Sequence, residues 1–451
     1  MNQKIKVSKF GGSSMKDLTA MKRSAEVVKT HQTQIIVVSA TYGTTNQLLD
    51  LINISLKSDW RPMFESISEI RKRHLDLCYE LNGPQEPSSS LYSLIDELVT
   101  LCTGIFYLKE CSPKAKDRLQ SIGEGLSSRI FAQALKNNLP DKEISFLDAR
   151  DYISTNKNFT KAIPLTEVIR QNCIPLEKEL LSNPNKFYVT QGFIGSTLDR
   201  ETTTLGRGGS DYTASILGEA LNAKEIQIWT DVAGIATTDP KVCKQAKRIN
   251  EITFKEAAEM ATFGAKVLHP TTLTPAKRKG IPVFVGSSYE PDAPGTWIKE
   301  NINEQPLVRA VTLKEGQCLI TLSNPDMLEA HGFLASIFSI FEKHDVSVDA
   351  ITTSEISVAM TIDMKSVEDY NFTNNLESLG TVTYEKNMAL VSIIGNNINH
   401  TPGVSLKIFE QLSNINIRMI CQGASIHNFC ILVDEEEGKK AVNKIHETFI
   451  Q

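Results

Sequence analysis

Up to about Thr296 the chain alternates short apolar runs with longer stretches in which apolar residues recur every three or four positions. Residues 5–8, 35–39, 187–190, 226–229 and 283–285 have the length and composition of buried strands, and segments such as 214–221 carry helical periodicity. This alternation predicts an α/β fold, a layered open sheet with helices on both faces and its working loops at strand ends. Residues 46–109 are almost free of strand signal and polar along one face, so they predict a helical insertion over the substrate side, with 84–90 as an exposed loop. The run Glu-Pro-Asp-Ala-Pro-Gly at 290–295 breaks structure, and the stretch to Pro306 reads as a linker.

Beyond the linker the pattern repeats. Strand 318–323, helix 333–343, strands 347–353 and 356–362 and helix 367–379 are answered in order by 390–394, 404–412, 417–421, 428–433 and 436–450. Each copy is a β-α-β-β-α unit, a ferredoxin-like module of the kind that pairs through its sheet, and its duplication suggests ligand sensing. The expected domains are 1–296, 306–385 and 386–451.

A length of 451 residues is too great for one core. A net charge of -5 gives no general attraction for nucleic acid or an anionic membrane, so functional cations should be local. The eight cysteines form no C-x-x-C pair and read as reduced thiols. No apolar leader precedes the first strand, and no run approaches the ~20 apolar residues of a membrane helix, so a cytoplasmic protein is expected.

Two loops concentrate the chemistry. Between strand 187–190 and a helix starting near Asp211, the run from Thr202 to Thr213 combines hydroxyls, three glycines, Arg207 and Asp211. Glycines let N–H groups approach an anion, a helix N-terminus adds positive potential, and a guanidinium can hold a carboxylate bidentately. Strand 5–8 likewise runs into Lys9-Phe10-Gly11-Gly12-Ser13-Ser14 and a helix near Asp17, a phosphate-cradling layout. No G-x-x-x-x-G-K-[ST], H-R-D or D-F-G element is present, which excludes the P-loop and protein-kinase modes of phosphoryl transfer.

The segments "SKFGGSSM", "SIGEGLSSR", "TQGFIGS", "TTTLGRGGSDYTA", "WTDVAGI", "TTDP" and "EMATFGAKVLHP", in this order, resemble aspartate kinase over essentially the whole chain. The C-terminal repeats resemble paired ACT modules, and "SVDAITTSE" resembles the lysine-sensitive monofunctional type. The resemblance implies the amino-acid kinase fold, transfer of the ATP γ-phosphoryl group to L-aspartate at the start of lysine, threonine and methionine biosynthesis, and lysine feedback. It also implies a homodimer through the ACT modules, and whether such dimers pair into a tetramer stays open. An aspartate carboxylate, with an ordinary pKa of about 3.9, is already a nucleophile, so catalysis must be electrostatic.

By resemblance, Lys9 bridges the γ-phosphate and the attacking carboxylate. Gly11, Gly12, Ser13 and Ser39 line the phosphate path, Lys266 holds phosphate, and Thr45 lies with Ser39 on the substrate side. Arg207 matches the clamp on the substrate α-carboxylate, and Glu124 with Asp211 the acidic pair for its ammonium. One arginine and two carboxylates suit a zwitterion, and Gly123 and Gly125 suggest close ligand approach beside Glu124. Thr230 and Asp231 match positions near ribose and adenine. Where the family commonly has tyrosine and arginine, this chain has Ala236 and Lys241. Mg2+ is expected with ATP, held by phosphate oxygens and water, since no carboxylate cluster marks a cage. His269 is read as structural.

In the first copy, N–H groups at Phe333 and Leu334, after Gly332, are free to receive an effector carboxylate, and Asp349 its ammonium. The aligned position in the second copy is Arg418, so the first is the expected sensor. Resemblance adds Met327, Ser347, Val348, Thr353, Ser354 and Glu355 at a dimer interface; Glu329 departs from it, standing where the lysine-sensitive type commonly has histidine, and is expected beside Glu355 as a second carboxylate for a distal ammonium. Two other readings stay open: an amino-acid kinase acting on glutamate or acetylglutamate, and a non-catalytic sensor. The first lacks the ACT pair; the second draws only on Ala236 and Lys241. A fused homoserine dehydrogenase is not expected, because the chain ends after the second copy.

Overall fold

The computed structural model describes residues 4–57, 59–83, 85–265, 268–328 and 331–450. Contacts divide the chain into two units, residues 1–235, 250–254 and 271–300, and residues 236–249, 255–270 and 301–451.

The first unit runs β1 (Lys6–Phe10), α1 (Leu18–His31), β2 (Ile35–Val38), α2 (Thr44–Ser55), α3 (Arg61–Asn82), α4 (Ser89–Leu108), α5 (Pro113–Asn138), β3 (Glu143–Leu147), α6 (Ala149–Tyr152), α7 (Thr166–Ser182), β4 (Lys186–Gln191), β5 (Ile194–Ser196), β6 (Thr202–Thr204), α8 (Gly209–Ala220) and β7 (Glu225–Thr230). It continues through β8 (Glu251–Thr253), after which α9 (Phe254–Thr262) passes into the second unit, then α10 (Thr274–Lys279), β9 (Val283–Ser287) and β10 (Thr296–Lys299). Among the described residues its main sheet has the order β3-β4-β2-β1-β7-β9-β10-β8. The first six strands are parallel, and β10 runs antiparallel to β9. Residues 35–38 read Ile-Ile-Val-Val and are all buried, as a parallel strand covered on both faces requires. The carboxyl ends of β1, β2, β4 and β7 therefore share one edge of the sheet.

α5 carries the core of this unit. Ser112 caps it, accepting from Ala115 N at 3.2 Å, and Leu119, Ile122, Leu126, Ile130 and Phe131 are buried along it. At about 1.5–3 kcal/mol for each large apolar side chain buried, this helix contributes heavily to stability. The expected helical insertion is α2, α3 and α4. α4, contrary to the reading of the sequence, is long and apolar enough to cross a membrane, yet its Leu91, Ile95, Leu98, Cys102 and Ile105 pack into the core around α5. In the expected loop, Gln85, Glu86 and Ser88 are exposed but Pro87 is buried; Pro84 lies outside the described residues.

The second unit runs β11 (Val308–Ser323), α11 (Phe333–Lys343), β12 (Ala350–Thr353), β13 (Ser357–Asp363), α12 (Tyr370–Glu377), β14 (Thr381–Gly395), α13 (Val404–Gln411), β15 (Ile417–Gln422), β16 (Asn428–Asp434) and α14 (Glu435–Phe449). One sheet joins the two repeats, in the order β12-β13-β11-β14-β16-β15. β11 and β14 pair along nearly their whole lengths with irregularities near Lys314 and Gln317. Residues 317–323 and 381–385 belong to the first module, while 308–314 pair with 390–395 in the second. The second module is thus not the contiguous 386–451 span expected from the sequence, because it takes its neighbouring strand from before the first.

Three other expectations change. The linker contains β10, which completes the first sheet with β8 and β9. Helix 367–379 is a 3-10 turn, Met364–Glu368, followed by α12, with Asp369 capping at Asn371 N, 2.9 Å. The boundary near 296 is replaced by interleaving, since 236–249 and 255–270 group with the second unit. Polar bonds within that unit give the reason. Thr237 O accepts from Val311 N at 2.8 Å, Thr237 Oγ1 meets His446 Nε2 at 2.8 Å, and Glu256 accepts from Arg309 Nε at 3.2 Å and Asn396 Nδ2 at 2.8 Å.

Candidate active site

In the first unit, β1 delivers Lys9 almost fully buried, at 8% exposure, beneath a cleft of about 670 Å³. Its ammonium lies 2.7 Å from Asp211 Oδ1, in the first turn of α8, where the helix dipole favours a carboxylate. The preceding loop depends on glycine. Gly206 and Gly208 have φ of 76° and 70°, and a Cβ on Gly209 would meet Phe193 Cδ2 at 2.6 Å. The turn carries Arg207, exposed, on the cleft wall. Phe193 and Thr160, also lining the cleft, hold φ of 70° and 72°, strain of the kind that clusters at ligand sites.

α5 brings Glu124 into the same cleft at 3% exposure. Its Oε1 accepts from Ala40 N at 3.2 Å, and among the described residues its Oε2 is buried without a hydrogen-bond partner. Burial pushes its carboxyl pKa up to about 8. Ser39 and Thr45 complete the expected group; Ser127 Oγ donates to Ser39 O at 2.7 Å, tying the end of β2 to α5. Lys9, Ser39, Thr45, Glu124, Arg207 and Asp211 thus meet around one cavity. Two carboxylates, an arginine and a lysine can grip a zwitterion and hold a second anion beside it.

The amino acid kinase family matches residues 4–287, and an ACT domain family matches 391–449. Lysine-sensitive aspartokinase 3 of Escherichia coli (strain K12) is 43% identical over 459 aligned residues, covering 99% of each chain. The crystal structure of E. coli aspartokinase III in complex with aspartate and ADP, in the R-state, gives a TM-score of 0.88 at 42% identity, covering 99% of this chain and 100% of that one. That enzyme's complex with lysine and aspartate, in the T-state, gives 0.85 at 42% identity over 100% of both. The chain belongs to the aspartokinase family. It is an aspartate kinase, passing the ATP γ-phosphoryl group to the side-chain carboxylate of L-aspartate.

Five other positions read from the sequence stand at strand ends next to the cleft. Among the described residues, Gly11, Gly12, Ser13, Thr230 and Asp231 do not line it but occupy the adjoining ends of β1 and β7. Gly11 N donates to Trp229 O at 3.1 Å, a Cβ on Gly12 would come within 3.3 Å of Ala40 O, and Ser288 N donates to Thr230 O at 2.8 Å. Thr230 Oγ1 donates to Asp231 Oδ1 at 3.0 Å. Lys241 is an exposed residue of the second unit, its N–H bonded to Asp239 Oδ1 at 2.8 Å. Lys266 and Glu329 lie outside the described residues.

Two readings are corrected. The hydroxyls of Thr202, Thr203 and Thr204 are not free for a ligand, because these residues form β6 and bond Arg118 Nη1 at 3.0 Å, Thr155 Oγ1 at 2.8 Å and Asp117 Oδ1 at 2.7 Å. Gly123 and Gly125 serve helix packing rather than ligand approach, since a Cβ there would meet Ala40 Cβ at 3.0 Å or Leu94 Cδ1 at 3.1 Å. The sequence reading also missed Lys116 and Gln120, which line the cleft two turns and one turn before Glu124. Their spacing of four residues was the available signal. It missed His74 as well. Buried, with its pKa lowered to about 4 by desolvation, this imidazole meets Thr41 Oγ1 at 3.0 Å and Ile70 O at 2.7 Å, fixing the turn ahead of Thr45.

Within the second unit, Met327, Phe333 and Val348 pack on one core cluster, and Leu334, Ser347, Thr353, Ser354 and Glu355 are exposed. Gly332, with φ of 87°, caps α11. Asp349 Oδ1 lies 2.6 Å from Lys314 Nζ, and Arg418, its counterpart in the second copy, pairs with Glu385.

Proposed function

We propose that the cleft is the L-aspartate site, with Arg207 holding the α-carboxylate, Glu124 and Asp211 the ammonium, and Lys9 the approach of the side-chain carboxylate to ATP. The observation that carries this is the convergence of the pair between buried Lys9 and partly buried Asp211, at 2.7 Å, with Glu124 and Arg207 around one cavity. The carboxylate needs no base, so the residues orient two anions, offset their repulsion and stabilise charge on the moving phosphoryl group. Asp211 holds the Lys9 ammonium where both reactants can meet it. Ser39 and Thr45 border the substrate. Gly11, Gly12 and Ser13 offer the triphosphate a glycine-rich turn, and Thr230 and Asp231 border the nucleoside.

Magnesium enters with ATP as part of the substrate; among the described residues no group of three or more His, Cys, Asp or Glu converges to hold it. ATP turnover with L-aspartate and with glutamate tests the assignment. Turnover confined to aspartate, with KM for aspartate raised by Glu124→Gln, is expected; equal turnover of glutamate rejects it.

Lysine is the proposed feedback inhibitor, acting on the first ACT module through Phe333, Leu334, Asp349, Thr353, Ser354 and Glu355, with Met327, Ser347 and Val348 completing the pocket. Support comes from the complex of the E. coli enzyme with lysine and from the pairing of Asp349 with a lysine side chain in this chain. The active form is proposed to be a homodimer through the ACT modules, in the cytoplasm, whose reducing conditions suit the free cysteines.

A further inference from the structure

We infer that Glu124 is a neutral carboxylic acid in the empty cleft and loses its proton when the ammonium of L-aspartate docks, so that substrate binding itself releases a proton before any phosphoryl transfer. The inference rests on the reading of Glu124 as the ammonium site. Its carboxyl group is enclosed, one oxygen takes the Ala40 N–H, and the other has no hydrogen-bond partner among the described residues. A carboxylate there is desolvated without a cation to offset its charge.

Among the described residues no lysine or arginine hydrogen-bonds to the Glu124 carboxyl group. Lys9 is bound to Asp211, and Lys116 stands two turns away, about 12 Å along α5. Lys161 and Arg207 line the cleft from loops. From the packed helices, Arg73 donates to Thr44 Oγ1 at 3.3 Å, His74 bonds Thr41 and Ile70, and Glu97 is held by Arg118. Desolvation accordingly raises the Glu124 pKa to about 8. An arriving ammonium supplies the missing cation and reverses the preference: the Oε2–H bond breaks, the proton passes to solvent, and carboxylate and ammonium pair.

Calorimetric titration of L-aspartate into the full-length protein, with Mg2+ and a methylene-bridged ATP analogue present, tests this in buffers of different ionisation enthalpy. At pH 7, most of one proton should be released per aspartate bound. Glu124→Gln should bind aspartate about 10- to 150-fold more weakly and release none. Weakened binding in Glu124→Gln with no proton release from the wild type overturns the inference and leaves the ammonium site standing. Unweakened binding in a folded Glu124→Gln protein rejects the ammonium site itself, and release persisting in that variant overturns the inference. Should the variant not fold, the wild-type Kd decides: it should fall with rising pH and level off only above about pH 8, whereas a flat profile overturns the inference.

Discussion

Two places in this chain are proposed to grip an amino acid, and they are built in opposite ways. The cleft of the first unit encloses its groups: Lys9 and Glu124 are almost fully buried, and the charged Lys9–Asp211 pair is set before any ligand arrives. The first regulatory copy offers exposed groups, with Thr353, Ser354 and Glu355 at the surface and Asp349 held by the half-exposed Lys314. Fixed, desolvated charge favours a transition state because nothing must reorganise when the phosphoryl group moves. A sensor needs only a difference in affinity between two states, and an exchangeable surface ion pair suffices for that.

The comparison breaks first at Lys9. Lys9→Met should lower kcat by about 10²- to 10³-fold, the usual cost of one preorganised donor to developing charge; a change under about fivefold would show that the pair is only structural. Burial of His74 should make the first unit acid-sensitive. Its pKa is lowered to about 4, so the unfolded chain binds the proton more readily, and stability falls as pH drops from 6.5 toward 4, by up to about 3 kcal/mol. Thermal melts from pH 7 to 4 should show this, and His74→Gln should lose that part of the slope.

Arg207→Lys keeps the charge but loses the fork, so the aspartate KM should rise about 10- to 150-fold while the ATP KM stays within about threefold. Initial-rate kinetics with each substrate varied would show it. At the sensor, Asp349→Ala should raise the half-inhibiting lysine concentration more than about tenfold, measured against that variant's own lysine-free rate. The smallest effect sharpens the contrast: Lys314→Met removes the side chain that competes with the effector ammonium for Asp349, so lysine should inhibit at concentrations about three- to tenfold lower. Weaker inhibition instead would mean that Lys314 holds Asp349 in its receptive position.

The two repeats share a fold and diverge at single positions. Gly332 and Gly403, with φ of 87° and 81°, both cap helices, but Asp349 pairs with Lys314 where Arg418 pairs with Glu385. Apolar periodicity fixed the common architecture and was legible from sequence, whereas the inverted charge was legible only once the copies were aligned.

The sequence by itself determined what local chemistry dictates. Apolar runs specified the buried strands of the main sheet, and glycines flanking Arg207 marked a turn needing left-handed backbone. Only the tertiary structure decided who packs against whom. Gly123 faces Ala40 and Gly125 faces Leu94, partners far away in sequence, and the threonine hydroxyls of β6 go to Arg118, Thr155 and Asp117. Residues 308–314 complete the second module across an intervening first one, and residues 236–249 and 255–270 leave the unit that flanks them. Periodicity reports which face of an element is buried, but the covering partner is chosen by long-range packing and hydrogen bonding, which no window along the chain contains.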